Sequence, residues 1–436
     1  MSEANQAISS SSNVQTKPVG LILVINAGST SLKFGVYAVE SKAHSNFQDQ
    51  AKYATPIEWV RGTLSKQGNG WQIQMRAMSD MTGNHATPLP DLTSHTSTSS
   101  AALLDCLSHL FSNLPLLAVG HRVVHGGDRF REHVRITPAI LPYLHSLEPL
   151  APQHQPHNLQ AIEDLLKSHP NLPQVACFDT AFHTTQDRLA RMYALPRALY
   201  DQGYHRFGFH GLSYEFISEQ MAKLAPELSA KRMVIAHLGG GASICGLINH
   251  QSRACSMGFT ALDGLVMASR SGSIDPGLLI HLLKSGRYDL SGLEHLLYDQ
   301  SGLMGVSGIS NDMRTLVQSD DPAAQEAVAL FVRRAARELA AIICDIGGLD
   351  LLVFTGGIGE HQAIIRQKII DSLSWLGLKL DGNNNQQLGD DQSGCISRSD
   401  QAVPVWVMPT NEECVIAEDT LRLSDIQPVI AQPSIK

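Results

Sequence analysis

No stretch of this chain approaches the roughly 18 consecutive apolar residues of a membrane-spanning helix. No G-x-x-x-x-G-K-[ST] run occurs, which excludes a P-loop nucleotide site on motif grounds. Cysteine is scarce and scattered. Cys106, Cys177, Cys245, Cys255, Cys344, Cys395 and Cys414 are odd in number and never form a C-x-x-C pair. Neither a disulfide framework nor a zinc ribbon is expected, and reduced thiols in a cytoplasmic protein are. Positive charge is in deficit: the net charge of −8 argues against a nucleic-acid surface and helps solubility. The first twenty residues hold one basic residue, Lys17, and no basic-then-apolar signal pattern; residues 1–19 read as a disordered tail. What is present is an ordinary globular balance, 43% hydrophobic and 17% charged over 436 residues, enough for two domains.

The most informative stretch is Leu21 to Val39. An apolar run meets a polar turn at Asn26–Ser31, and a second extended run follows with Lys33 near its start. The pattern predicts strand, tight turn, strand. Backbone N–H groups opened by Gly28, the hydroxyls of Ser29 and Ser31, and the Lys33 ammonium all suit phosphate oxygens, and Asn26 offers a neutral oxygen to a metal ion or its waters. An ordinary hairpin with a polar turn fits equally well. Met233 to Ile248 repeats the pattern around Gly239-Gly240-Gly241, about 210 residues on, and two copies point to a duplicated architecture. A third glycine turn, Thr355 to Gly359, follows the buried run Leu349–Phe354 and leads into a helix.

Between these turns the chain supplies charged groups at strand ends. Leu116 to Phe130 reads as a strand running into Gly126-Gly127, with Arg122 either salt-bridged or facing an anion. His121 and His125 are four apart but not on a helix, so no metal pair is read there. Gln174–Phe178 is a short buried strand, and Asp179 at its end is either a cleft residue or a turn cap. His210 lies in Arg206–Gly211 between aromatics and glycines, a pattern of close approach. Arg270 sits in the loop Ser256–Gly277. Residues 151–158 read as a proline-broken loop before a helix over Leu159–Lys167, and Ser301–Arg314 as a Gly/Ser-rich loop. Helices are expected over Ser100–Phe111, from Pro276 through Lys284, and over Asp320–Ile346, and strands over Trp59–Leu64 and Trp71–Met75. The segment from Met78 to Ser100 reads as a loop. Near the end, Thr410 and Glu413 match a T-x-x-E capping box, which would leave Glu412 free to turn toward a cleft.

In order, NAGSTSLKF, HRVVHGG, CFDTAFH, GFHG, HLGGGAS, SMGFTALDGL, SRSGSIDPG, SGLMGVSG, FTGGIGE and PTNEE closely resemble the acetate kinase family, from about Leu21 to Leu423. The resemblance implies an α/β fold of two ribonuclease H-like domains flanking a nucleotide cleft. Residues 20–180 with 414–436 would form one domain, and residues 181–413 the nucleotide-binding and dimerisation domain. It implies a homodimer, ATP/ADP and a short-chain carboxylate with its acyl phosphate as substrates, and Mg²⁺, with Mn²⁺ as the alternative, at Asn26 and Glu412. Asp179, His210, Arg270 and Arg122 would be catalytic. Arg122, Val124, Phe209, Gln153 and Ala261 would bind the acid. Ser31 and Lys33 would contact phosphate. His237, Leu238, Gly239, Gly240, Gly241, Asp312, Met313, Arg314, Gly356, Gly357, Ile358, Gly359, Glu360 and His361 would hold the nucleotide. The chain departs from the family pattern at Gln153 (leucine expected), Ala261 (proline), Gly240 (asparagine), Tyr214 (histidine), Ser273 (aspartate) and His361 (asparagine). The first two border the acyl pocket, so acetate and propionate or butyrate remain alternatives.

A carboxylic acid has a pKa of about 4 and arrives ionised, so the nucleophile needs no general base. Asp179 is then expected to orient an arginine or a metal-bound water, against an acid/base role. A nicotinamide oxidoreductase is disfavoured by the late position of the Gly356 turn. An ATP-driven scaffold would need a peptide-binding domain or a filament surface.

Overall fold

The computed structural model describes residues 18–28, 31–40, 55–67, 70–78, 92–94, 99–389 and 392–425. Most of the expected tail, Ser29 and Thr30 of the first turn, and most of the expected loop over 78–100 lie outside these residues.

Two mixed sheets carry the chain. The first is built from β1 (Pro18–Ala27), β2 (Ser31–Glu40), β3 (Ile57–Gln67), β4 (Gly70–Ala77), β5 (Leu92–Ser94), β6 (Leu116–Val123), β7 (Val134–Arg135) and β8 (Gln174–Phe178), in the order β5-β4-β3-β2-β1-β6-β8-β7. The second is built from β9 (Arg232–Leu238), β10 (Ala242–Ile248), β11 (Gln251–Cys255), β12 (Leu351–Thr355), β13 (Gly394–Cys395) and β14 (Val405–Val407), in the order β11-β10-β9-β12-β14-β13. The duplication shows in the pairing. β1 pairs antiparallel with β2 and parallel with β6, which is parallel to β8. β9 pairs antiparallel with β10 and parallel with β12, which is parallel to β14. The order β3-β2-β1-β6-β8 thus recurs as β11-β10-β9-β12-β14. The central strands are apolar on both sides, as strands covered by helices on both faces must be.

Helices fill the layers. Ser99–Leu110 and Gln155–Ser168 bury one face of the first sheet. Glu412–Leu423 covers the other through Val415, Ile416 and Ala417 against Ile22, Val24 and Cys177. Gly211–Leu224 lies between the sheets: Leu212 packs on the first, and Tyr214, Ile217 and Met221 pack on β9, β10 and β12 of the second. Pro322–Asp345 closes the far face of the second sheet with the stripe Val328, Phe331, Ala335, Leu339 and Ile342. Pro322 sits in its first turn and Asp321 caps it, accepting from Ala323 N.

Four local expectations are corrected. The 151–158 segment is not a loop throughout: helix starts at Gln155, because Pro156 falls in the first turn, where a missing N–H costs nothing. The Ser301–Arg314 loop contains helix Gly302–Ser307, ended by Gly308 at positive φ. The glycine turn after β12 is itself helical, with helix Gly356–His361 starting directly at the strand end. The Thr410/Glu413 capping box does not form: Asn411 is the cap of Glu412–Leu423 and accepts from Cys414 N at 3.1 Å, while the Thr410 hydroxyl turns to Ser213 at 3.0 Å.

Candidate active site

The carboxyl ends of β1, β6, β8 and β9 face one cleft of about 410 Å³ between the two sheets. Parallel strands bring their C-terminal residues to a common edge, and Asn26, Arg122 and Asp179 arrive there for that reason, while His237 reaches the cleft from the end of β9 in the second sheet. Lys33 comes from the start of β2, opposite Asn26 in the pairing. Val124, Phe209, His210, Gly241, Ala261, Arg270 and Glu412 complete most of the lining.

Arg122 and Asp179 form a two-pronged pair across adjacent strands. Nε reaches Oδ1 at 3.1 Å and Nη2 reaches Oδ2 at 2.7 Å. Glu412 stands 3.7 Å from the same Nε. Burial alone would weaken the charge on Arg122, but the two carboxylates outweigh it and hold the guanidinium firmly charged. Arg122 is therefore salt-bridged, and it also lines the cleft. Asp179 directs its side chain to Arg122 and does not cap the turn after β8, where Thr180 holds the N-cap position.

His210 opens helix Gly211–Leu224 in the left-handed region, at φ 59°. The flanking glycines explain the close approach read from the sequence. A Cβ on Gly211 would lie 2.2 Å from the Asp179 carbonyl oxygen, and one on Gly208 would strike the His183 ring at 2.7 Å. The His210 ring stacks on His237, centroids 4.3 Å apart. Its Nδ1 bonds Ser243 Oγ at 2.8 Å. Burial, then the charges of His237, Arg122 and Arg270, push its pKa well below the usual value, so the imidazole is neutral. Arg270 donates through Nη1 to the Ala261 carbonyl at 2.6 Å; its Nη2 lies 2.9 Å from where a Cβ on Gly241 would be, and His210 Nε2 lies 3.1 Å from that point. Arg270 and His210 therefore converge on one spot at the cleft floor, and Gly241 is glycine because a side chain would fill it.

Asn26 and Glu412 present hard oxygen donors of the kind Mg²⁺ takes. The Glu412 carboxyl is raised to about 7, by burial first and then by Asp179 and Glu413, against Arg122 and Lys33. A Glu412 carboxyl crowded by Asp179 and Glu413 and held above its usual range fits a site that a divalent cation completes. A second group of ligand-type side chains, His133, Glu215 and Asp419, does not fit one. His133 Nδ1 accepts the Phe178 N–H at 3.1 Å, so Nε2 carries the ring proton and points it at the two carboxylates.

The remaining sequence candidates lie around the cleft rather than in it. Gln153 is half-buried, stands outside the cleft lining and donates to Asp299 at 2.9 Å. Gly239 and Gly356–Gly357 abut, with Gly357 N 3.6 Å from the Cβ position of Gly239, while Gly240 has nothing within 4 Å. Leu238, Met313 and Ile358 bury their side chains in the second core, leaving only backbone toward a ligand. Asp312 caps helix Met313–Val317 and forks to Arg314 on the surface. Glu360 accepts from Gly356 N at 2.8 Å and Thr410 N at 3.1 Å, so it ties the third turn to the segment before Glu412. Gly359 is buried and His361 ends the short helix at the surface. Ser31, outside the lining, closes the first turn by accepting from Gly28 N at 2.9 Å.

Other contributors were invisible at the level of single motifs. His154 lines the cleft, its pKa lowered to about 4 by burial, then Arg122 and Arg270. Gln155 and Asn158 hold the backbone of Val124 and His125, and Asn158 donates to the Ala27 carbonyl at 2.8 Å. Arg366, fully buried, bonds the carbonyls of Gly359 and Glu360 at 2.8 and 2.6 Å and so fixes the third turn. The proline before Asn158 and the amphipathic run around Arg366 carried no sign of these roles.

A duplicated α/β fold with a phosphate-type turn in each half, and a cleft holding two arginines, a neutral histidine and clustered carboxylates, defines a phosphotransferase. The acetokinase family model matches residues 21–418. Acetate kinase of Rhodopseudomonas palustris (strain ATCC BAA-98 / CGA009) is 46% identical over 406 residues, covering 93% of this chain and 98% of that one. Acetate kinase of Nitrobacter hamburgensis is 42% identical, covering 92% and 96%. Among solved structures, Porphyromonas gingivalis acetate kinase superposes with a TM-score of 0.78 at 31% identity, covering 93% and 99%. A propionate kinase from Francisella tularensis superposes with a TM-score of 0.79 at 32% identity, covering 93% and 100%. The chain belongs to the acetokinase family: it is a kinase that uses ATP as co-substrate and a carboxyl group as acceptor. Among the described residues no helix is long and apolar enough to cross a membrane.

Proposed function

We propose that this enzyme reversibly transfers the γ-phosphoryl group of Mg-ATP to acetate, giving acetyl phosphate and ADP by direct in-line transfer. The observation that carries the reading is the convergence of Arg122, Arg270 and His210 on one open floor beside the apolar side chains of Val124, Phe209 and Ala261. A carboxylate seated on Arg122 with its methyl against Val124 and Phe209 would aim an oxygen at that floor. The nucleotide would lie over the backbone of Gly239–Gly241 and Gly356–Gly359, with Lys33 on its phosphates.

A phosphoryl group in flight carries negative charge on its equatorial oxygens and has little covalent chemistry for a protein to do. Arg270 supplies fixed positive charge at that position, and neutral His210 supplies a hydrogen bond without demanding a proton. Arg122, clamped by Asp179, holds the acceptor within reach and in line. Asp179 thereby acts as an orienting group; its two bonds to Arg122 support this over proton transfer. Mg²⁺ at Asn26 and Glu412 would neutralise charge on the nucleotide phosphates.

Helix Glu412–Leu423 returns to the first sheet, which supports domains of 20–180 with 414–436 and of 181–413. Helix Pro276–Lys284 has no buried residue and exposes Leu278, Ile280 and Leu283, which supports a homodimer through that face. Scattered free thiols support a cytoplasmic location.

The test is a hydroxylamine trap for acyl phosphate with ATP, Mg²⁺ and, separately, acetate, propionate and butyrate. Strongest signal with acetate is expected. A specific observation favours propionate as the second reading: Gln153 is bonded to Asp299 outside the cleft lining and Ala261 is small, so neither narrows the acyl side. Strongest signal with a longer acid would move the substrate and keep the mechanism. No signal with any acid would overturn the assignment.

A further inference from the structure

Behind the cleft, His210 is backed by a chain of two hydroxyls. Ser243 Oγ lies 2.8 Å from His210 Nδ1 and 2.5 Å from the Tyr214 hydroxyl. Ser243 and Tyr214 are both fully buried, and among the described residues the Tyr214 hydroxyl has no partner but Ser243. The geometry points to Ser243 as a positioning residue that fixes which nitrogen of His210 carries the proton, with Tyr214 completing the chain behind it. The inference rests on the reading that His210 faces the transferring phosphoryl group.

Two contacts link three groups, and the hydroxyls bring one hydrogen each. If Tyr214 donates to Ser243 and Ser243 donates to Nδ1, both hydrogens are used. Nδ1 is then an acceptor and Nε2 carries the proton. If Nδ1 were protonated and donated to Ser243, one buried O–H would have no acceptor: that of Ser243 if Tyr214 also donates, or that of Tyr214 if Ser243 donates back to it. Buried donors are rarely left in that state. The favoured arrangement aims an Nε2–H at the floor beside Arg270, where it donates to a phosphoryl oxygen. The other tautomer would aim a lone pair at a negatively charged group. Both hydroxyls sit on rigid elements: Ser243 on β10, and Tyr214 one turn into the helix that His210 opens.

The test uses the full-length enzyme labelled with ¹⁵N-histidine. The His210 ring signals are assigned by their loss in His210→Gln, and the nitrogen shifts report the tautomer directly. The wild type is expected to hold the proton on Nε2. Ser243→Ala should populate both tautomers and lower kcat on the order of tenfold, with KM for acid and nucleotide within about twofold. Tyr214→Phe, which removes only the donor to Ser243, should keep the tautomer and cost less activity. Ser243→Thr, which keeps the hydroxyl, should restore both readouts. A wild-type His210 protonated on Nδ1 would overturn the inference, and needs no variant to fold. So would Ser243→Ala with tautomer and kcat unchanged. Failure of the wild type to make acyl phosphate would instead sink the functional reading and leave the tautomer measurement to stand.

Discussion

Gly241→Ala asks whether the meeting point of Arg270 and His210 is the reacting position. The added methyl would sit 2.9 Å from Arg270 Nη2 and 3.1 Å from His210 Nε2. Ordinary van der Waals contact begins near 3.5 Å, so each of the two groups must yield by about 0.5 Å. Neither yields easily. Arg270 is anchored to the Ala261 carbonyl at 2.6 Å, and His210 is held by Ser243 and stacked on His237. A misplacement of 1 Å costs about a hundredfold in rate, so half of that predicts a loss of about tenfold in kcat. The methyl also occupies volume a phosphoryl oxygen would use, which pushes the loss further. Stability should be almost untouched, because the neighbours are at a cleft and not in a close-packed core. Gly240→Ala is the control for folding: its added methyl meets nothing within 4 Å, so its melting temperature should match the wild type. The assay is acyl phosphate formation followed by hydroxylamine trapping, with kcat and KM resolved for each substrate, alongside thermal unfolding. A Gly241→Ala enzyme with wild-type kcat would refute the reasoning, because two groups that must move without effect cannot both be placed by the reaction.

Three further outcomes are expected. Asp179→Asn should lose on the order of a hundredfold or more in kcat while the pH–rate profile keeps its shape, because the carboxylate orients Arg122; loss of one titrating limb would instead assign it a proton. Glu412→Gln should raise the Mg²⁺ concentration needed for half-maximal rate by at least about tenfold, read by titrating the metal at saturating nucleotide; an unchanged requirement would remove Glu412 from the metal site. Leu278→Asp combined with Leu283→Asp should convert a dimer to a monomer in sedimentation, because charges on helix Pro276–Lys284 cannot be desolvated in an interface; an unaltered sedimentation coefficient would place the interface elsewhere.

The sequence by itself determined the local alphabet. Strand–turn–strand repeats at Leu21–Val39 and Met233–Ile248 pointed to a duplicated architecture, and the resemblance of ten ordered motifs to the acetate kinase family supplied the kinase reading. Short-range rules decide these features: apolar runs of strand length, glycine in turns, proline at Pro276 and Pro322 in first turns. Arg122 and Asp179 were legible as candidates because a charge at the end of an apolar run must find a partner or a cleft, His210 because glycines flank it, and Arg270 through the resemblance. Rules of that range also misled where two local signals competed. Asn411 took the cap that Thr410 was expected to hold, and Gln155 opened a helix inside a proline-rich loop.

Only the tertiary structure decided who meets whom. That Arg122 is clamped by Asp179 follows from β6 and β8 being parallel neighbours, a pairing separated by 57 positions in the chain. That Gln153 is bonded to Asp299 and not part of the cleft lining follows from a contact across 146 positions. The Tyr214–Ser243–His210 chain joins a helix to a strand that residue spacing could not relate. Orientation of a side chain depends on what packs behind it, and in this fold what packs behind each active-site group comes from a distant part of the chain.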